Sequence, residues 1–269
     1  MSTAFQWHNW SGLQQSSPQR FLQPTTVDEL ALIVQQQHKC RVVGAGHSFS
    51  PLVCTNDSLI SLDYLTGLVS HNKQLCQSTL YAGTRLHELD QYLEPINQAL
   101  INQGDIDRQS LAGAISTGTH GTGHQLTCLS ALVEGFELVT ADGDVLWCDR
   151  QQHTDIFNAG RVALGSFGVL SKISMQNVPR YTLKEQVNLV PLREILSHMD
   201  QWKTEHRHIE ALVFIHSNDA ILKTLDPTQD VIQPRKEPWP SDDTILTICS
   251  EITRKFPANC LSTDAVFTT

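Results

Sequence analysis

The sequence predicts an α+β protein in two parts: a ligand-cradling part over residues 1–180 and a smaller part over residues 181–269. Three observations support this. All fifteen glycines lie at or before Gly168, while Pro227, Pro234, Pro238, Pro240 and Pro257 fall in the glycine-free remainder. Backbone that turns tightly or lies close to a ligand needs glycine. The elements of the first part are short and mix helices with hairpins, without the regular strand–helix alternation of a doubly wound sheet. The second part offers one amphipathic helix and a few strands, a thin core that reads as an incomplete portion of a domain.

In the first part, Thr26-x-x-Glu29 has the spacing of a capping box and opens a helix over residues 28–38. Arg41-Val42-Val43 is a brief strand feeding Gly44-Ala45-Gly46. Residues 59–62 and 79–82 read as strands. Thr84 is placed to cap a helix through Leu93, stopped by Pro95, and Ser110 to cap a short helix starting at Leu111. Residues 136–140 and 145–148 flank Asp142-Gly143, a hairpin turn signal. Residues 168–178 alternate apolar and polar positions as one long strand. The second part begins with a strand over residues 182–190. A helix follows from Pro191 to about Glu205, with Leu192, Ile195, Leu196, Met199 and Trp202 on one stripe. A strand over residues 209–216 comes next, and then a proline-rich loop.

Bulk properties exclude several classes. The net charge is −9 over 269 residues, and neither part is basic, so a nucleic-acid surface is not expected. Seven scattered cysteines form no Cys-x-x-Cys and read as reduced thiols of a cytoplasmic protein rather than a disulfide frame or zinc site. The N-terminus lacks the charged head and apolar core of a signal peptide. No apolar run approaches the ~20 residues that span a bilayer. His120-x-x-x-His124 and His206-x-His208 lack supporting ligands for a metal, and Asp242-Asp243 reads as a solvated turn.

Two motifs carry chemistry. In Arg41-Val42-Val43-Gly44-Ala45-Gly46-His47-Ser48-Phe49, a strand enters Gly-x-Gly and presents backbone N–H groups suited to a pyrophosphate. Phe49 stands where a dinucleotide fingerprint needs its third glycine, and Ser50-Pro51 follows instead of a helix. Gly46-x-Ser48-x-Ser50 lacks the last glycine of a hydrolase elbow. The second motif, Ser110 through Gly123, is dense in small and hydroxyl residues and contains Gly113, Thr117, Gly118, Thr119 and His120. Such backbone lies flat on a ligand while hydroxyls supply hydrogen bonds. It contains no Gly-Lys-Ser/Thr, so it is not a nucleotidase phosphate loop.

Together the motifs resemble the FAD-binding domain of the vanillyl-alcohol oxidase and p-cresol methylhydroxylase superfamily. Within it they are most similar to the aldonolactone oxidase group (gulonolactone, arabinonolactone and alditol oxidases). The resemblance is dense over the first 180 residues. It runs through Trp10-Ser11-Gly12, Gly44 to Pro51, Ser61-Leu62-Asp63, Ala82-Gly83-Thr84, Asp107-x-Gln109-Ser110, Thr140 to Gly143 and Leu164 to Val169. It implies a two-subdomain FAD-binding domain over residues 1–180 and the N-terminal portion of a substrate (cap) domain over residues 181–269.

The resemblance also implies the cofactor contacts. Val43, Gly44, Ala45, Gly46, His47 and Ser48 would wrap the pyrophosphate, and His47 would carry the flavin 8α-methyl on an imidazole nitrogen. Ser110, Gly113, Thr117, Gly118, Thr119 and His120 would follow the ribityl chain, pyrophosphate and ring edges, and Val169 would lie by the adenine. Gly104 would either leave room for dioxygen beside the flavin or serve only as a turn glycine.

The implied reaction is oxidation of the CH–OH of a sugar-1,4-lactone or polyol with dioxygen as acceptor. A dehydrogenase using another acceptor, or a flavin-binding fragment without independent turnover, is the alternative. The group's His-Trp-Gly-Lys segment and its C-terminal acid, arginine and lysine are absent, so no catalytic base can be named and the chain reads as C-terminally truncated. No integral membrane segment is expected, and peripheral membrane attachment stays open.

Overall fold

The computed structural model describes residues 5–213 and 217–232. His216, the prolines from Pro234 onward, Asp242-Asp243, Cys249 and Cys260 lie outside the described residues. The chain divides into two compact units, Met1–Arg180 and Tyr181–Thr269.

The first unit holds a small parallel sheet in the order Arg20–Leu22, Ser58–Ser61, Cys40–Val43. Its central strand is buried at all four positions, as expected of a strand covered on both faces. The crossover from Arg20–Leu22 to Cys40–Val43 contains the helix Val27–Gln36, which turns Leu30 and Val34 inward. Its start is sharper than a simple box. Thr26 Oγ1 accepts from Glu29 N–H at 3.1 Å, but the Glu29 carboxylate takes Thr25 N–H at 2.7 Å and its hydroxyl at 2.9 Å.

A five-stranded antiparallel sheet follows, in the order Val145–Asp149, Val133–Val139, Val169–Gln176, Gln77–Tyr81, Leu68–Asn72. The Asp142-Gly143 turn forms, with Thr140 N–H donating to Asp144 O at 2.9 Å. The strand Val169–Gln176 alternates buried and half-buried positions, the period-2 signature of a sheet with one face on the core. That core includes Phe136 and Phe157, at most 1% exposed. Truncating such an aromatic costs about 3–5 kcal/mol.

Thr84 does not cap a helix. Its fully buried hydroxyl donates to Tyr81 O at 2.7 Å and accepts Gly67 N–H at 2.9 Å, locking the end of a strand. The helical turn Leu86–Glu88 and the helix Leu89–Leu93 begin beyond it. The strand expected over 168–178 ends at Gln176, and Val178–Pro179 pairs separately with Gln98–Ala99. The strand Leu68–Asn72 and the helix Thr154–Gly160 had no sequence expectation.

In the second unit the helix Leu192–Glu205 starts one residue after Pro191, which occupies the cap position. The strand Asp219–Pro227 forms where a proline-rich loop was expected. It is the centre of a three-stranded antiparallel sheet between Leu183–Pro191 and His208–Val213. Its alternate residues Ala220, Leu222 and Thr224 are buried. The helix and sheet share a small apolar cluster of Ile195, Ala220 and Leu222, flanked by Val190, Met199, Trp202 and Ile209.

Candidate functional site

The site begins where Cys40–Val43 runs out of the parallel sheet. After Val43 the chain leaves its strand, and Gly46 takes φ +68°, a left-handed conformation that favours glycine. The backbone N–H groups of Ala45, Gly46, His47 and Ser48 have no acceptor among the described residues. Consecutive unclaimed donors of this kind suit an anion.

The second motif reaches this loop through one contact. Ser110 caps the short helix Leu111–Ser116, its hydroxyl accepting Gly113 N–H at 3.3 Å. Its position is set by strand-like pairing with Arg85: Leu86 N–H donates to Gln109 O at 3.0 Å and Leu111 N–H to Thr84 O at 2.8 Å. A Cβ on Gly44 would stand 2.3 Å from Ser110 Oγ. Only glycine lets the two motifs meet without displacing the cap.

Beside this junction lies a cavity of about 860 Å³, within the roughly 300–1,000 Å³ range of small-molecule and cofactor sites. Most of its lining comes from residues 40–50, residues 109–117 in part, and residues 162–170, with Leu52, Leu62, Asp63, Ala82 and Gly83 adding to it. Val43, Gly44, Ala45, Gly46, His47, Ser48, Ser110, Gly113, Thr117 and Val169 all border it. Phe49, Leu52, Val162, Leu164 and Phe167 also border it while remaining 41–61% exposed. Large apolar side chains gathered around one concavity suit the rim of a small-molecule or cofactor site.

Gly104, Gly118, Thr119 and His120 do not border the cavity. They form an adjoining patch. Thr117 Oγ1 lies 3.3 Å from Thr119 Oγ1, which accepts from Gln109 Nε2 at 3.1 Å. A Cβ on Gly104 would come 3.0 Å from His120 O and 3.6 Å from Thr119 Cγ2. A side chain at 104 would thus press on the His120 backbone. His120 Nδ1 lies 3.0 Å from Gly121 O.

Sequence reasoning did not single out Arg41, Asp63 or the loop over residues 162–168 as lining residues. Asp63 is ion-paired with Arg85. The signal for Asp63 and the loop stood in the segments Ser61-Leu62-Asp63 and Leu164 to Val169, of which only Val169 received a role. It also gave none to Asn9 and Trp10, which touch the loop bearing His47. Among the described residues, no group of three or more His, Cys, Asp or Glu side chains could hold a metal ion. No described helix is long and apolar enough to cross a membrane.

The cavity residues fit a flat, anionic, dinucleotide-sized cofactor: unclaimed backbone donors at residues 45–48, a junction where Gly44 meets the Ser110 hydroxyl, and an apolar rim. Comparison with known proteins agrees with that fit. Residues 18–149 match the family model for an FAD binding domain, and residues 173–260 match that for D-arabinono-1,4-lactone oxidase. L-gulono-1,4-lactone dehydrogenase of Mycobacterium tuberculosis is 33% identical over 94% of the chain and 60% of its own length. L-gulonolactone oxidase of Mus musculus is 34% identical over 83% of the chain and 52% of its own length. D-arabinono-1,4-lactone oxidase of Kluyveromyces lactis is 30% identical over 88% and 47%. The chain thus spans about half to three-fifths of the length of these relatives. Among solved structures, cholesterol oxidase from B. sterolicum superposes with a TM-score of 0.77 at 18% identity, over 98% of the chain and 58% of its own. That likeness shows the fold alone.

Proposed function

We propose that the chain, which matches the FAD-binding and D-arabinono-1,4-lactone oxidase families in its two parts and resembles gulonolactone-oxidising relatives, serves as an FAD-dependent oxidoreductase of the aldonolactone oxidase group, of the vanillyl-alcohol oxidase and p-cresol methylhydroxylase type. Its substrate is the CH–OH group of a sugar-1,4-lactone or polyol, and its acceptor is dioxygen. The observation that carries this is the Gly44–Ser110 junction, which brings both glycine motifs to one cofactor-sized cavity.

Residues 43–48 wrap the pyrophosphate, and the unclaimed N–H groups of residues 45–48 are its donors. Ser110, Gly113 and Thr117 flank the bound chain of the cofactor, Gly118, Thr119 and His120 extend along its edge, and Val169 meets the adenine through backbone groups. His47 holds the flavin covalently through an imidazole nitrogen. FAD held there would supply the acceptor for the carbinol hydride, with the hydroxyl proton released to a base or to water. The protein's own work is to orient the cofactor, keep water from its faces and present the substrate. Among the described residues the five cysteines Cys40, Cys54, Cys76, Cys128 and Cys148 are free thiols, which fits a reducing, cytoplasmic setting.

One observation favours a second acceptor. Packing against His120 O is a reason for glycine at 104 that involves no oxygen path, and with it the acceptor can be other than dioxygen, as in a dehydrogenase.

The full chain expressed with FAD is expected to be yellow. It should bleach anaerobically with gulono- or arabinonolactone and recover colour in air. Bound flavin that never bleaches overturns the oxidoreductase reading. Bleaching reversed by a dye but not by air assigns the dehydrogenase. After acid precipitation the flavin should stay in the wild-type pellet and move to the supernatant in His47→Ala. Free flavin from the wild type refutes the covalent bond.

A further inference from the structure

The loop that bears His47 is gripped by a segment almost forty residues earlier. The short strands Trp7–His8 and Gln15–Ser16 pair antiparallel, and Asn9, only 4% exposed, organises the turn between them. Asn9 Oδ1 accepts Gln14 N–H at 3.0 Å and the Ser11 hydroxyl at 3.2 Å, while Asn9 N–H donates to Gln14 O at 3.0 Å.

Three donors of this hairpin reach the cofactor loop. Trp10 N–H donates to Gly46 O at 3.1 Å, Asn9 Nδ2 to Ser48 O at 2.9 Å and Gln14 Nε2 to Phe49 O at 3.1 Å. A peptide unit is planar and trans, so its C=O and N–H point oppositely. Pinning Gly46 O therefore fixes the direction of His47 N–H, and pinning Ser48 O fixes that of Phe49 N–H. The imidazole is held too. The Trp10 indole stacks on His47 at 5.4 Å with 9° between planes, and meets Phe49 edge-on at 5.6 Å. Trp10 is 58% exposed, so burial does not account for its position; the ring contacts do.

We infer that the Trp7–Ser16 hairpin is a clasp that sets the cofactor loop, with Asn9 and Trp10 as positioning residues for the His47 imidazole and the adjoining peptide N–H groups. The inference rests on the FAD reading above. The clasp holds the loop from behind through its carbonyls, so the donors toward the cofactor are aligned before it arrives.

The test uses the full chain prepared without FAD, with uptake followed by quenching of flavin fluorescence. Trp10→Ala is expected to weaken uptake about 3–10-fold, the range of an aromatic stacking contact. Trp10→Phe should restore most of it. The thermal midpoint of the FAD-free chain should hardly move in either, because Trp10 is exposed. By NMR, the His47 ring protons should lie upfield in the wild type under the indole ring current and return to ordinary positions in Trp10→Ala. Asn9→Ala should weaken uptake as well, with some loss of stability. Uptake by Trp10→Ala equal to wild type, or Trp10→Phe as poor as Trp10→Ala, overturns the clasp. A wild-type chain that takes up no FAD overturns the cofactor reading itself, before any variant is compared.

Discussion

At the scale of single residues, Gly44 decides more than its size suggests. An alanine there would put a methyl carbon 2.3 Å from Ser110 Oγ, and the hydroxyl would have to abandon its bond to Gly113 N–H. Overpacking of this kind costs about 1–3 kcal/mol. Gly44→Ala is expected to lower the denaturant midpoint accordingly and to reduce FAD retained after gel filtration; unchanged retention would detach the junction from the cofactor. Gly44, Gly46 and His47 were legible as residues of one loop beside a cavity because their types are rare in that order. Asn9 and Trp10 were not assigned, because a lone Asn or Trp looks the same whether it pins a loop or decorates a surface. Thr84 was misread for a related reason. A threonine before a helical stretch caps it only if its hydroxyl is free, and here the hydroxyl is spent on Tyr81 O and Gly67 N–H.

At the scale of elements, the strands and helices that were legible carry strong periodicity or a strong turn. Val169–Gln176 alternates cleanly, and the hairpin around Asp142-Gly143 has the dipeptide that its turn demands. Leu68–Asn72 was invisible because four of its five residues are exposed, and an edge strand need not alternate. Asp219–Pro227 was hidden by its terminal aspartates and proline, although Ala220, Leu222 and Thr224 mark its buried face.

The end of Val145–Asp149 offers a pH test. Asp149 accepts the N–H groups of Gln151 and Gln152 at 2.8 Å each and Trp147 Nε1–H at 2.8 Å. The backbone bonds from Gln151 and Gln152, with that from Trp147, hold its carboxyl below the usual value. A depressed folded pKa stabilises above the unfolded value of about 3.9, and that contribution is lost as pH falls through the folded one. Asp149→Asn should cost about 1 kcal/mol at pH 7, a modest figure because the site is partly solvated. Urea titrations should show the gap to wild type closing below about pH 4; a gap constant from pH 7 to pH 3 would refute the assignment.

At the scale of the whole molecule, the glycine-rich first unit carries the cavity, and the glycine-free second unit has its own small core. FAD that binds only the folded first unit stabilises it by about 2.7 kcal/mol at a hundredfold excess over Kd. Calorimetry should therefore show FAD raising the transition of the first unit, while Leu222→Ala lowers only that of the second. A single transition that responds to both would mean the units unfold together.

The strand order of the large sheet also has a consequence in time. Gln77–Tyr81 sits beside Val169–Gln176, with Tyr81 opposite Lys172, about ninety residues later. At a synthesis rate of roughly 5–20 residues per second, the earlier strand leaves the ribosome about 5–18 s before its partner exists. Until then one of its hydrogen-bonding edges is bare. The growing chain is thus exposed to mispairing after the first glycine motif has emerged and before the antiparallel sheet that borders the same cavity can close.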